Sequence, residues 1–138
     1  MDFTILSHLG VGPLRFGMKP AEIRALIRSR SEITDKASSK TPSDYFIRMG
    51  IFAYYNDHGH CHAIEFFGPV PPTFHGRPVL GRPYNEYEAW IRTMDPDLEP
   101  NGAGFTAHLC GIGVYAPAAR NHPKDPIEAV IAFDKHYW

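Results

Sequence analysis

Apolar residues near the start of the chain follow the period of an amphipathic helix. Ile23, Leu26 and Ile27 lie three and four residues apart, which places them on one stripe of a helix. Pro20 suits the first helical position, where its missing N–H is not needed, and Glu22 is favourable in the first turn. The pattern predicts a helix that begins at Pro20.

A second helix is predicted 64 positions later in the chain. Tyr87, Trp90 and Ile91 give it an apolar stripe of the same kind. Asn85 is a favoured N-cap residue, and Glu88, three positions on, can bond back to the cap. We therefore expect Asn85 to cap the second helix, whose first helical residue is then Glu86.

The remaining apolar segments are rich in aromatic and β-branched residues, which favour strands. The predicted strands are 3–6, 45–49, 51–55, 61–67, 105–109, 111–115 and 127–133. Gly50 is predicted to form a bend between two of them, and 73–80 a small hairpin. The polar segments 29–43, 99–104 and 116–126 are predicted to be loops.

These elements predict an α+β fold with an antiparallel sheet and two helices on one face of it. Residues 12–72 and 73–138 share the order of a tandem α-β-β-β repeat. Gly50 and Gly111 are 61 positions apart, and Ala63 and Ala129 are 66 apart. The alternative is that two such segments share their spacing by chance. In a repeat, the sheet face opposite the helices would be solvated or would bind a partner.

The composition indicates one domain, 1–138, of a cytoplasmic protein that is a monomer when free. The chain has 138 residues, of which 43% are hydrophobic, enough for one core. A net charge of -1 argues against nucleic-acid binding, and no apolar run reaches the roughly 18 residues that span a membrane. No signal peptide is evident. Cys61 and Cys110 are predicted to be two reduced thiols.

Histidines provide the main candidates for chemistry. His60 and His62 would share a face of a strand and could bind a metal ion, with His75 as a further ligand. His58 lies in a predicted turn, outside that register. The alternative is that these histidines face solvent. His108 and Cys110 are two positions apart, but a buried, inert thiol is the simpler interpretation of Cys110.

Charged residues on and after the second helix form the predicted partner-binding surface. Its members are Glu86, Glu88, Asp95, Asp97 and Glu99, with His58 and Arg120 from nearby loops. An acidic surface speeds encounter with a basic partner. The alternative is a solvated helix face.

Aromatic residues are too numerous for all of them to be buried, and Tyr and Trp are enriched at interface hot spots. Those that are candidates for the surface are Tyr45, Tyr54, Tyr55, Tyr84, Tyr115, Tyr137 and Trp138.

Several short motifs resemble those of a family of small bacterial proteins encoded beside polymorphic or contact-dependent growth inhibition toxins. The motifs are 12–18, Glu22 with Ile23, 111–117, and 130–135 with Tyr137. Lys19 departs from the pattern, because a hydroxyl N-cap residue is expected there. The doubled α-β unit is also similar, at the level of fold only, to β-lactamase inhibitory protein.

The resemblance implies an immunity protein, which neutralises a cognate toxin C-terminal domain by covering its active site. It implies no enzymatic activity and no cofactor or metal. The alternative function is that of a small metal-dependent enzyme or ligand-binding protein that uses His60, His62 and His75.

Overall fold

A computed structural model describes residues 2–28, 32–34 and 42–138 of the chain. These residues form two helices, α1 (Pro20–Ile27) and α2 (Tyr84–Arg92), and thirteen strands. The strands are β1 (Thr4–Leu6), β2 (Gly10–Val11), β3 (Leu14–Arg15), β4 (Glu32–Thr34), β5 (Ser43–Phe46), β6 (Ile51–Tyr55), β7 (Cys61–Phe66), β8 (Thr73–Phe74), β9 (Arg77–Pro78), β10 (Glu99–Pro100), β11 (Gly104–Ala107), β12 (Ile112–Tyr115) and β13 (Ala129–Phe133). The fold is α+β, as the sequence predicts.

Eight of the described strands form one antiparallel sheet, in the order β10-β11-β12-β13-β7-β6-β5-β4. Each half is a meander of four strands that follows one helix along the chain. The halves meet where β7 pairs antiparallel with β13, Glu65 lying opposite Ile131.

The registers of the two halves correspond position by position. Ile51 lies opposite Phe66 in the first half, and Ile112 lies opposite Ala132 in the second. Ile51 of β6 and Ile112 of β12 are 61 positions apart. Their partners, Phe66 of β7 and Ala132 of β13, are 66 positions apart. The same two offsets relate the residues of the sequence, so the halves share one backbone plan. Whether they arose by duplication stays a prediction.

The other described strands form a smaller sheet in the order β3-β2-β1-β8-β9. Here β1 pairs parallel with β8, with Ile5 opposite Phe74. The small sheet thus joins β1, which precedes α1 in the chain, to β8, which precedes α2.

Both helices pack on the same face of the large sheet. From α1, Arg24 reaches Asp44 of β5. From α2, the ring of Tyr87 stacks on Phe105 of β11, with 6.4 Å between ring centroids. The small sheet adds its own buried residues to the same apolar cluster, including Phe3 and Val11. The core therefore lies between the large sheet and a layer of two helices and the small sheet.

The start of α1 agrees with the prediction despite Lys19. The backbone N–H of Lys19 donates a hydrogen bond to Glu22 Oε1 at 3.1 Å, and Pro20 occupies the first helical position. Glu22 therefore stabilises a helix start that has no hydroxyl N-cap.

The predicted start of α2 is wrong by two residues, because tertiary contacts cap this helix. The helix begins at Tyr84, and its N-cap is Pro83. The N–H of Tyr84 donates to the carbonyl oxygen of Asp125 at 2.9 Å, and that of Asn85 donates to Pro123 at 2.8 Å. Carbonyl groups of a distant loop take the role expected of an Asn side chain.

Three strands per repeat is also wrong, since each half of the large sheet has four of the described strands. Glu32–Thr34 pairs with β5 and Glu99–Pro100 pairs with β11, although both segments are polar. An edge strand needs no apolar pattern to form backbone hydrogen bonds with its one neighbour. Residues 29–31 and 35–41 of the predicted loop 29–43 lie outside the described residues. Strands predicted over 45–49 and 105–109 end early, at Phe46 and Ala107, where turns begin.

Candidate functional site

The face of the large sheet opposite the helices carries an unusual row of side chains. Residues that lie directly opposite each other on paired strands share a face. Pairings across six strands define one row, which runs through Tyr45, Phe52, Glu65, Ile131, Gly113 and Thr106. We call this side of the sheet the outer face. In an antiparallel sheet such a face is commonly polar, but here it is largely aromatic and aliphatic.

The first half of the outer face is filled by stacked rings. Tyr45 and Phe52 have ring centroids 4.5 Å apart with planes 17° from parallel. Tyr54 and Phe67 each place a ring within 5.7 Å of Phe52. Ring pairs at these separations contribute beyond their area burial, which holds the rings in place. Tyr45, Phe52 and Tyr54 are half-buried.

The second half of the face has small residues at two of the corresponding positions. With the offset of 61, Gly113 corresponds to Phe52, and Thr106 corresponds to Tyr45. The missing rings leave a groove of about 150 Å³ on this half. Its lining includes Glu65, Thr106, Gly113, Tyr115, Ile131, Tyr137 and Trp138.

The C-terminal residues form one wall of the groove. Tyr137 and Trp138 both pack on Phe133, with ring centroids 5.7 Å apart in each pair. Trp138 is also 5.5 Å from the ring of His108 and remains 68% exposed. An indole that packs on three rings yet is open to solvent is well placed to contact another molecule.

Glu65 provides the negative charge at the centre of the row. Phe52 lies opposite it on one neighbouring strand and Ile131 on the other. The hydroxyl of Tyr54 donates a hydrogen bond to Glu65 Oε1. Burial and the nearby Glu65 carboxylate raise the pKa of both Tyr54 and Tyr137. Both phenols therefore stay protonated at neutral pH and can act as donors.

Most of the predicted acidic surface lies away from the outer face. Asp95 is only 2% exposed, because its Oδ2 accepts the N–H of Leu109 at 3.0 Å and its Oδ1 that of Asp97. Asp95 thus connects the end of α2 to the turn after β11, and its carboxylate is buried rather than available to a partner. Glu88 forms an ion pair with Arg92 at 3.1 Å along the helix. Glu86 and Asp97 are exposed. Glu99 is also exposed, but it lies opposite Thr106 and therefore shares the outer face.

The two loop residues predicted with them lie elsewhere. His58 is exposed in the turn between β6 and β7. Arg120 lines a separate cleft of about 400 Å³ beside Tyr84 and Asn101. The structure does not bring either residue to the groove.

The histidines proposed as metal ligands are not brought together. His62 packs on Tyr137, with 4.8 Å between centroids, whereas His75 packs on Phe74 and Trp90. Within the part of the chain that the structure describes, no three His, Cys, Asp or Glu residues are placed to hold a metal ion. His108 contacts Trp138, while Cys110 lies in the core, so they form no nucleophilic pair.

Both cysteines are free and buried, which predicts slow thiol chemistry. Burial raises the pKa of Cys61 to about 12 and that of Cys110 to about 11. At pH 8 the thiolate fraction of either residue is then at most roughly one in a thousand. We expect no reaction with Ellman's reagent within minutes in the native protein and two thiols in denaturant. Rapid native labelling of either cysteine would contradict this burial.

Sequence reasoning did not find Phe52, Glu65, Phe67 or the groove. It did identify five residues of this face as candidates for exposed aromatics: Tyr45, Tyr54, Tyr115, Tyr137 and Trp138. The available signal was the segment 51–55, where aromatic residues occupy the positions between buried ones. Two other aromatics of that set, Tyr55 and Tyr84, are buried in the core.

Comparison of the chain with protein-family models, curated proteins and solved structures finds no match. Among the helices described here, none has the length and apolar character to cross a membrane.

Proposed function

We propose that this chain is an immunity protein, which binds a cognate bacterial toxin domain through the outer face and covers its active site. The observation that carries the proposal is the row of aromatic and aliphatic side chains on that face. Exposed apolar patches of this kind commonly mark interaction sites. The motif resemblance described above specifies the class of partner.

The size of the face suits such a partner. Neighbouring strands lie about 4.8 Å apart, so eight strands give a width of roughly 34 Å. A standard protein interface buries about 800 Å² on each partner and depends on a few anchors, often Trp and Tyr. Tyr115 is 48% exposed and Trp138 68% exposed, so both can lose solvent contact on binding.

The mechanism of inhibition in this proposal is occlusion by a preformed surface. The rings of Tyr45, Phe52 and Phe67 support one another in the free protein. Little side-chain freedom then remains to be lost when the partner docks, which favours tight binding. The free chain would act as a monomer in the cytoplasm, where it would meet its toxin.

The direct test is co-expression with the C-terminal domain encoded by the neighbouring upstream gene, followed by calorimetry on the purified pair. We expect Tyr115→Ala and Trp138→Ala each to weaken binding by about thirtyfold, which corresponds to roughly 2 kcal/mol at a hot spot. They should also reduce protection of growing cells from the toxin.

Leu9→Ala is the matched control, since Leu9 is 52% exposed but lies in the turn between β1 and β2 of the small sheet. Its binding should be unchanged. Charge reversal at Glu86 and Asp97 tests the acidic surface instead. If those reversals abolish binding while Tyr115→Ala and Trp138→Ala do not, the docking surface is the acidic one. If the upstream domain neither binds nor inhibits growth, the proposed function is wrong.

A further inference from the structure

We infer that the pocket between β9 and α2 binds a phosphate group. The pocket has a volume of about 170 Å³ and is lined by Arg77, Pro78, Arg82, Glu86, Tyr87 and Trp90. It lies beside α2 on the helix side of the large sheet, so it is separate from the outer face and does not depend on the proposed function. A cavity of about 150 Å³ admits benzene, so a phosphate group, with its five heavy atoms, also fits.

Two arginines give the pocket its positive charge. Arg77 lies over the ring of Trp90, with its guanidinium carbon 4.3 Å from the ring centroid. The backbone of Arg82 is fixed, since its carbonyl oxygen accepts the N–H of Ile127 at 2.9 Å. Among the residues that the structure describes, neither guanidinium forms an ion pair. Both are therefore available to an anion.

Tyr87 adds a buried polar group to the same pocket. It is only 4% exposed, and its hydroxyl forms no hydrogen bond with any residue that the structure describes. Such groups are rare in native proteins, and a bound ion or water is one explanation of them. Burial raises the pKa of Tyr87, and the Arg77 guanidinium opposes this rise, so that charge lies within electrostatic reach of the phenol. The phenol stays protonated at neutral pH and can donate to an anion beside Arg77.

The set of donors suits phosphate better than a carboxylate. One arginine can satisfy both oxygens of a carboxylate in a bidentate pair. Here two arginines from different segments and a hydroxyl line one pocket, and a phosphate monoester presents three acceptor oxygens. Glu86 is the acidic member of the lining and reduces its net charge to about +1. Glu86 should therefore weaken the binding of any anion.

The test is a titration of the whole chain with inorganic phosphate, in which sodium chloride keeps the ionic strength constant. We expect phosphate to shift the indole NMR signal of Trp90 but not that of Trp138, which lies on the outer face. Arg82→Gln and Tyr87→Phe should each weaken binding by about tenfold, as for hydrogen bonds to a charged group. Tyr87→Phe keeps the ring and removes only the unpaired hydroxyl, so the fold should be retained.

Two further variants separate a specific site from a general effect of charge. Glu86→Gln should tighten binding by about threefold, because it removes a repulsive charge. Arg120→Gln is the matched control, since Arg120 is exposed in a separate cleft, and it should leave binding unchanged. The inference is overturned if phosphate does not shift Trp90 at tens of millimolar, or if acetate binds as tightly as phosphate. Equal losses in Arg120→Gln and Arg82→Gln would overturn it as well.

Methyl phosphate distinguishes the two sources of such a group. If it binds as tightly as inorganic phosphate, the pocket accepts a phosphate carried by a larger molecule. If it binds much more weakly, the ligand is the free ion. Both results support a phosphate site, and toxin binding in Trp138→Ala tests the proposed function separately.

Discussion

Arg24→Leu is expected to lower the free energy of unfolding by about 3 kcal/mol, because it removes one partner of an ion pair whose other member is buried. Two nitrogens of Arg24 contact the two oxygens of Asp44 at 3.0 and 2.9 Å. Asp44 is fully buried, and its other contact here is the Tyr55 hydroxyl, which donates to it at 2.7 Å. Without Arg24, the buried Asp44 carboxylate would keep its hydrogen bond from the Tyr55 hydroxyl but would lose its counter-charge.

Arg92→Leu is the matched control for this substitution. The side chains of Arg24 and Arg92 are both 42% exposed, and each pairs with one carboxylate. The partner of Arg92 is Glu88 on the same helix, 25% exposed, and such pairs contribute only about 0.3–0.5 kcal/mol. Urea denaturation followed by tryptophan fluorescence measures both variants. Equal losses would show that the burial of Asp44 adds nothing to the pair.

The second half of the protein suggests how the lost stability can be recovered. At the offset of 61, Phe105 occupies the position of Asp44, and its ring packs against Tyr84 and Tyr87. An apolar residue is therefore compatible with this part of the backbone plan. We expect the double variant Arg24→Leu, Asp44→Leu to be more stable than Arg24→Leu alone, since no buried charge remains.

Gly50→Ala is expected to cost about 3–5 kcal/mol, which combines the strain of a left-handed residue with overpacking against backbone. Gly50 has φ +68°, and an added Cβ would lie 1.7 Å from the carbonyl oxygen of Gly68. That oxygen belongs to the main chain just after β7, so it cannot move aside as a flexible side chain would. The turn after β5 and the end of β7 would have to separate.

Gly59→Ala isolates the conformational part of this cost. Gly59 has φ +77°, but nothing lies within 4 Å of an added Cβ. Its substitution should therefore cost only about 1–2 kcal/mol. The difference between the two variants in the same denaturation experiment measures the close approach of Gly50 to Gly68. Similar losses would mean that this contact relaxes easily.

The spacing of apolar residues predicted the elements that bury one face. It missed the polar edge strands, which bury none. Ile23 and Ile27 of α1, and Tyr87 and Ile91 of α2, are buried as their helical spacing predicts. The edge strands β4 and β10 were missed because backbone pairing with one neighbour leaves no hydrophobic period in the sequence. The cap of α2 was missed because its acceptors come from a loop about 40 residues away, at Pro123 and Asp125.

The sequence predicted that some aromatic residues are exposed, but it did not predict which ones or where on the fold they lie. Counting aromatics showed that some must be exposed, yet Tyr55 and Tyr84 are buried while Tyr115 and Trp138 are exposed. The acidic stretch after α2 contains Asp95, whose burial follows from bonds to the backbone of a turn. Short-range spacing carries no signal for such a contact.

The α+β class, the two amphipathic helices, the main strands and the offsets between the halves could all be predicted from the sequence. These depend on periodicity and on residue types, which act over a few neighbouring positions. Three features could be seen only in the folded chain: β7 pairs with β13, Asp44 and Asp95 are buried, and Glu65 lines a groove with Ile131 and the C-terminal aromatics. Each of these features results from register and packing between segments that are distant in the chain. Whether a side chain is buried, exposed or part of a site depends on which residues the fold brings next to it.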